Sequence, residues 1–148
     1  MLTNRGKYGL KALVHLANLP SGQVALASDI ARFEDIPKKF LDTILNDLRN
    51  AGFVHTKKGP GGGYMLARPA SEISAGEVIR SLGGPVVTLA CANRTAFVPC
   101  DDCTDAETCA VRSLMLELAD AAARVLDKTS IDTLRERTAG PGQLMYYI

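Results

Sequence analysis

Phe53-Val-His-Thr56, then Lys57-Lys-Gly-Pro-Gly-Gly-Gly63, then Tyr64-Met-Leu-Ala67: the reading of this stretch decides the fold. Its outer pieces alternate as short strands and its glycine-rich centre turns the chain back, so the whole is a β-hairpin. Lys57 and Lys58 give the hairpin a basic approach, and the glycines give it a bare tip. Without side chains, Gly59, Gly61 and Gly62 let the backbone come close to phosphates or to a narrow minor groove, whose negative potential attracts Lys57 and Lys58. A nucleotide-cradling loop is the competing reading. It fails on context, because such a loop leads from a strand into a helix and this one leads from a strand into a strand.

Upstream of the hairpin, Leu41, Ile44, Leu45 and Leu48 draw an apolar stripe along a helix whose first turn suits the fixed backbone angle of Pro37. Its other face carries Lys38, Lys39, Asp42, Thr43, Asn46 and Arg49, and Ala51-Gly52 ends it in a left-handed cap. A shorter helix starts at Ser28 or Asp29 and runs to about Phe33, broken by Glu34-Asp-Ile-Pro37; Val24-Ala-Leu26 before it is apolar enough for one brief strand. Two short helices joined by a tight turn, the second with a polar and basic N-terminal face, are the arrangement that places a helix in a DNA major groove. A merely solvated helix face is the bland alternative, and the hairpin that follows narrows the choice. At the start of the chain, Thr3 caps a helix with Leu10, Leu13, Val14 and Ala17 on its core face, ending before Pro20. His15 lies off that stripe and reads as a surface or partly packed histidine, not a ligand.

Downstream, Ser74-Ala-Gly-Glu77 has the form of a capping box and opens a helix through Val78, Ile79 and Leu82, stopped by Gly83-Gly-Pro85. All four cysteines, Cys91, Cys100, Cys103 and Cys109, then fall in one loop. A long helix follows, with Val111, Leu114, Met115, Leu118, Ala121, Ala122 and Val125 on one face and Leu116, Ala119, Ala123 and Leu126 on a further one. A helix apolar around most of its circumference must be covered on two sides, and a symmetric partner explains the second, giving a homodimer; a central core helix in a monomer is the alternative. Thr129-Ser-Ile-Asp-Thr-Leu134 reads as a capped short final helix, and Gly140-Pro-Gly142 releases a tail ending Tyr146-Tyr-Ile148 that reads as a frayed end. The fold expected is mainly α with a small β-hairpin. Residues 1–84 form a winged helix-turn-helix DNA-binding domain, 85–110 a cysteine-rich loop, 111–138 the dimerisation and terminal helices, and 139–148 the tail.

By size, 148 residues make one globular domain that needs no disulfide scaffold. The near-zero net charge hides an asymmetry: residues 1–70 hold ten Lys/Arg against five Asp/Glu, and residues 71–148 hold seven against eleven. The front half is the part suited to a polyanion. The N-terminus lacks the apolar core of a signal peptide and no segment is apolar for long enough to span a membrane, so the expected location is cytoplasmic. In that reducing compartment, clustered cysteines are metal ligands or redox groups more often than bridges. Cys100-x-x-Cys103 is by itself a common zinc spacing. No pair of catalytic groups and no second cofactor motif accompanies the thiols, so the chain reads as a non-enzyme, with a redox or cluster-carrier protein as the rival class.

Leu2-Thr-Asn-Arg-Gly-Lys-Tyr8, Asp29-Ile-Ala-Arg32, Phe40-Leu-Asp-Thr-Ile-Leu45, Leu48-Arg-Asn-Ala-Gly-Phe-Val54 and above all Lys58-Gly-Pro-Gly-Gly-Gly-Tyr-Met-Leu-Ala67 resemble the IscR/NsrR/RirA/CymR superfamily of winged helix-turn-helix regulators, over about residues 1–136. The resemblance implies a homodimeric transcriptional regulator, nearest in character to the iron-sulfur RirA/NsrR branch, that binds double-stranded operator DNA and senses iron, redox state or nitric oxide. It implies an iron-sulfur cluster held by Cys91, Cys103 and Cys109. Arg112 stands where some relatives have a histidine ligand and Lys7 where others use a partner carboxylate, which leaves Cys100, or an open iron, as the fourth position. An all-cysteine set suits a 4Fe-4S cluster first and a 2Fe-2S cluster second by ligand softness, and tetrahedral zinc or a thiol switch remains the alternative. The resemblance also implies that Lys38 and Lys39 meet phosphates, that Asp42 and Thr43 face base edges, and that Lys58 enters the minor groove.

Overall fold

The computed structural model describes residues 2–84 and 89–139. The order is α1 (Asn4–Ala17), α2 (Ala27–Glu34), α3 (Lys38–Asn50), β1 (Val54–Lys57), β2 (Gly63–Leu66), α4 (Ala75–Gly83), α5 (Ala110–Lys128) and α6 (Ile131–Ala139). The helix stop at Pro85 and the tail from residue 140 lie outside the described residues.

Thr3 caps α1 as expected, its Oγ1 accepting from the Gly6 N–H at 3.1 Å. The buried face of α1 is turned from the expected one, with Gly6, Gly9, Ala12, Leu13 and Leu16 inside and Leu10, Val14 and Ala17 only packed at the core's edge. Gly9 is the reason: a Cβ there would overlap Leu82 of α4, so the glycine lets the two helices meet closely. α2 begins at Ala27 behind Leu26 and not at a Ser28 or Asp29 cap, and no side chain caps it. Val24-Ala-Leu26 forms no strand of its own. Ala25 makes a single antiparallel bridge to Tyr64, donating and accepting at 3.0 and 2.8 Å, which adds one rung to the hairpin.

α3 buries Leu41, Ile44, Leu45 and Leu48, the stripe its sequence draws, and Pro37 precedes it in the capping position. Its end is a complete Schellman motif: Phe53 N–H donates to Leu48 C=O at 2.9 Å and Gly52 N–H to Arg49 C=O at 3.0 Å. That closure sends the chain directly into β1. Val54 pairs with Leu66 and Lys57 with Gly63, one residue out from the expected strand limits. At the tip, the Gly62 N–H donates to the Gly59 C=O at 2.9 Å and Gly61 has φ 74°, a turn with proline then a left-handed glycine at its centre.

The capping box of α4 is closed, Glu77 N–H to Ser74 Oγ at 3.2 Å and Ser74 N–H to Glu77 Oε2 at 3.0 Å. α6 is capped by Ser130, whose Oγ accepts from the Thr133 N–H at 3.0 Å, and it returns to pack on α1, with Ile131 fully buried in the same core. The backbones leading into α4 and α6 are stitched, Ala75 N–H to Thr129 C=O and Ile131 N–H to Ile73 C=O, both 2.8 Å. Among the described residues of the six α-helices, α5 is the helix in which none is fully buried.

Candidate nucleic-acid interface and cysteine loop

Because α3 buries one stripe, its opposite face is forced outward, and Lys38, Lys39, Asp42, Thr43, Asn46 and Arg49 all stand on it. Several of these groups are already engaged with one another. Lys38 Nζ holds both Asp42 oxygens, at 2.9 and 3.2 Å, and Arg49 donates to Asn46 Oδ1 at 2.7 Å. Thr43 Oγ1 donates back to the Lys39 C=O at 3.3 Å. Such exposed pairs are worth little and exchange readily for a phosphate or a base edge. Sequence reading missed Phe40. It is 64% exposed on this face, and among the described residues no cation or ring covers it, whereas exposed Phe33 lies beside Arg32 and His15 and exposed Phe97 beside Arg112.

The scaffold under α3 is tied by charge. Arg5 pairs with Asp47 and donates from Nε to the Leu82 C=O at 2.9 Å, linking α1, α3 and α4. His15 sits half-buried with Nδ1 3.1 Å from Glu34 Oε1, and Lys11 donates to the Glu34 C=O, so this histidine joins α1 to α2 as a packed group. In the hairpin, Lys57, Lys58, Gly59 and Gly61 are exposed. Gly62 differs: a Cβ there would overlap the Lys57 carbonyl, so its lack of a side chain serves the turn itself.

The cysteine loop folds back on itself. A short 3-10 turn, Ala90–Ala92, buries Cys91, and the Val98 N–H donates to the Ala90 C=O at 3.3 Å. Asn93 Oδ1 gathers the Thr95 and Ala96 N–H groups at 3.0 and 3.2 Å, and the Cys103 N–H donates to the Cys100 C=O at 3.2 Å. Cys109 caps α5, its Sγ accepting from the Arg112 N–H at 3.4 Å. All four thiols are free, Cys91 buried and the others half-buried. They neighbour one another in pairs. Hydrogen bonding with Cys91 pushes the Cys100 thiol up to about 11, helped by burial and by the charges of Cys91, Asp102 and Cys103. Burial and then the neighbouring Cys109 raise Cys103, opposed by a backbone hydrogen bond at Asp105.

The donor set fits a soft metal centre in chemistry, being thiols with no competing histidine; among the described residues, however, no three ligand side chains converge at metal-binding geometry. Lys7 lies with its Nζ 5.0 Å over the Tyr8 ring. On α5, Leu116, Ala119, Ala123 and Leu126 are half-buried, while Val111, Leu114, Leu118 and Val125 are 59, 58, 50 and 65% exposed. Among the described residues, no helix is long and apolar enough to cross a membrane.

A family described as Rrf2, iron-dependent transcriptional regulator, matches residues 2–137. The chain belongs to the Rrf2 family. Within it, an Rrf2-like HTH-type transcriptional regulator of Rhodobacter capsulatus is 36% identical over 137 residues, covering 90% of this chain and 91% of that protein. The HTH-type transcriptional regulator CymR of Bacillus subtilis is 31% identical over 148 residues, covering 99% of each. The structure of that CymR, the global cysteine regulator of B. subtilis, superposes with a TM-score of 0.75 at 29% identity over 93% of this chain and 98% of CymR. T. potens IscR superposes with a TM-score of 0.74 over 99% of this chain and 96% of its own, at 23% identity, a likeness of fold. The winged helix-turn-helix architecture and the resemblance read from the hairpin both hold. As a member of this family the chain is a DNA-binding transcriptional regulator and not an enzyme.

Proposed function

We propose that this Rrf2 chain is a homodimeric operator-binding regulator whose cysteine loop senses iron supply, redox state or nitric oxide through an iron-sulfur cluster. The observation that carries the reading is the placement of the chain's four thiols. They sit in one loop whose 3-10 turn lies beside α5 and whose last member caps it. The family's description as iron-dependent supports the metal. Cys91, Cys103 and Cys109, with Cys100 as fourth thiolate, would hold the cluster, which when bound supplies a centre open to oxygen, nitric oxide or iron loss.

The chain's own residues do the rest. Lys39 and Lys58, with Lys38 and Lys57, meet phosphates and the minor groove; Gly59 and Gly61 bring the backbone of the tip close, and Gly62 shapes it. Asp42, Thr43 and Phe40 face the base edges. A carboxylate accepts from cytosine and repels phosphate, so Asp42 filters sequence. The exposed stripe Val111, Leu114, Leu118 and Val125 meets its copy across a two-fold axis, which sets the spacing of two reading heads. A loop that orders or loosens against α5 alters that spacing. A coupling of roughly 1 to 3 kcal/mol changes operator affinity about five- to 150-fold.

A second reading, a thiol switch or zinc site on the same fold, is favoured by the pairing of Cys100 with Cys91 and by the likeness to CymR. One measurement separates them: absorbance and metal content of protein purified under nitrogen. Brown protein with iron and acid-labile sulfide supports the cluster; colourless protein with stoichiometric zinc, or none, supports the alternative. Cys91→Ala, Cys103→Ala and Cys109→Ala are each expected to abolish the colour. Retention of colour by Cys100→Ala would show that the fourth ligand is not Cys100.

A further inference from the structure

We propose that Arg112 is the positioning residue that clips the start of the cysteine loop to α5, so that the state of the loop at Cys91 reaches this helix through one side chain. The proposal rests on the reading of the loop as a sensor. Arg112 lies in the first turn of α5, where a cation is disfavoured by the helix dipole, and that turn holds no acidic residue to offset it. Its placement is explained by what it touches. Its Nε donates to the Cys91 C=O at 2.8 Å, at the start of the loop. Its Nη1 reaches the Ala106 C=O at 3.5 Å, near the end. The guanidinium carbon Cζ lies over the Phe97 ring, 5.5 Å from its centre, in the middle. Its own N–H donates to Cys109 Sγ at 3.4 Å. One side chain therefore gathers the beginning, middle and end of a loop that carries every thiol of the chain.

The chemistry calls for arginine. A guanidinium carries several N–H donors in a rigid fork, so Nε and Nη1 can reach two separate carbonyls while its carbon lies over the ring, which the single nitrogen of an ammonium cannot do. The second tie between loop and helix, Arg94 Nη2 to Asp120 Oδ2 at 3.0 Å, joins two exposed side chains and contributes little. Arg112, in contrast, is half-buried and grips a backbone carbonyl adjoining the buried Cys91 thiol. Because its backbone is helical, a displacement of Cys91 pulls on the start of α5 directly.

The test is the rate of iodoacetamide alkylation at each cysteine in reduced, metal-free protein, read by mass spectrometry, with operator affinity measured before and after the loop is metal-loaded or oxidised. In the wild type, Cys91 should react slowest. Arg112→Ala should raise the Cys91 rate roughly tenfold or more, as expected for losing a charged hydrogen bond, with unchanged helix content. It should also abolish the change in operator affinity between the two loop states. Arg112→Lys should fail to restore either property, and Arg94→Ala should leave Cys91 protected. Continued protection of Cys91 in Arg112→Ala, or full rescue by Arg112→Lys, overturns the clip. A wild-type operator affinity that ignores the loop's state defeats the sensing reading itself, and the transmission assigned to Arg112 falls with it.

Discussion

Lys58 stands exposed at the hairpin tip, beside glycines that leave open space around the backbone. Lys58→Ala is expected to weaken operator binding and to make the dependence of log affinity on log salt shallower by about one ion per subunit. Unchanged affinity would take the hairpin out of the interface. Phe40 has a sharper assay. Replacing operator thymines with deoxyuridine removes only a methyl group, which should cost the wild type roughly fourfold in affinity at the contacted position. Phe40→Ala should bind both DNAs alike. The exposure of Lys39 and Thr43 was legible from sequence, since residues opposite a regular apolar stripe must face water, and that of Lys58 follows from its place in the glycine-rich turn. Phe40 was not, because it lies four residues before Ile44 at the border of the stripe, where spacing leaves core and surface equally open. The Lys38–Asp42 pair needed side-chain positions as well; spacing allows that bond without requiring it.

Among the helices, those that stripes and caps define came out where expected: α3, the capping box of α4, a long α5 and a capped short α6, whose cap the structure assigns to Ser130. The Glu77 carboxyl is held below the ordinary carboxylate range, first by the Ser74 backbone N–H and then, against burial, by the Ser74 hydroxyl and by Arg68 and Arg80. A depressed carboxylate stabilises the fold above its unfolded pKa, and that contribution is lost as pH falls through the folded pKa. Glu77→Gln should therefore lower the unfolding midpoint at neutral pH, and the difference from wild type should shrink in acid. With 43% of this side chain exposed, solvent screening keeps the effect at about 1 kcal/mol or less. Urea melts at both pH values check it; a difference independent of pH would mean that packing and not charge is responsible. Apart from element limits such as the start of α2 and the ends of the strands, the misreadings came where partners are distant in sequence. Ala25 finds its bridge at Tyr64, and α1 turns its glycine face to Leu82.

At the scale of the whole molecule, α5 is the part with unfinished business: its four exposed apolar residues follow one face, while the other face lies on its own domain. Leu118→Arg is expected to convert a dimer to a monomer by light scattering, with the DNA-binding fold intact by circular dichroism. Operator affinity should fall by roughly tenfold or more, since two linked reading heads bind with avidity that one lacks. A protein that stays dimeric would move the interface elsewhere. Removing Ile131 by Ile131→Ala should cost about 2 to 4 kcal/mol, because α6 is tied into the same core as α1. The sequence by itself determined the class of fold, the reading helix, the hairpin and the concentration of thiols in one loop. Each of these rests on a periodicity, a turn chemistry or a spacing within a few residues, and such preferences are set by near neighbours along the chain without help from distant contacts. Only the tertiary structure decided which face of α1 is core, that Cys91 is buried beside Cys100, and that Arg112 spans the loop from Cys91 to Ala106. Those depend on atoms brought together from distant positions, where packing and hydrogen-bond geometry choose among arrangements that local preference leaves equal.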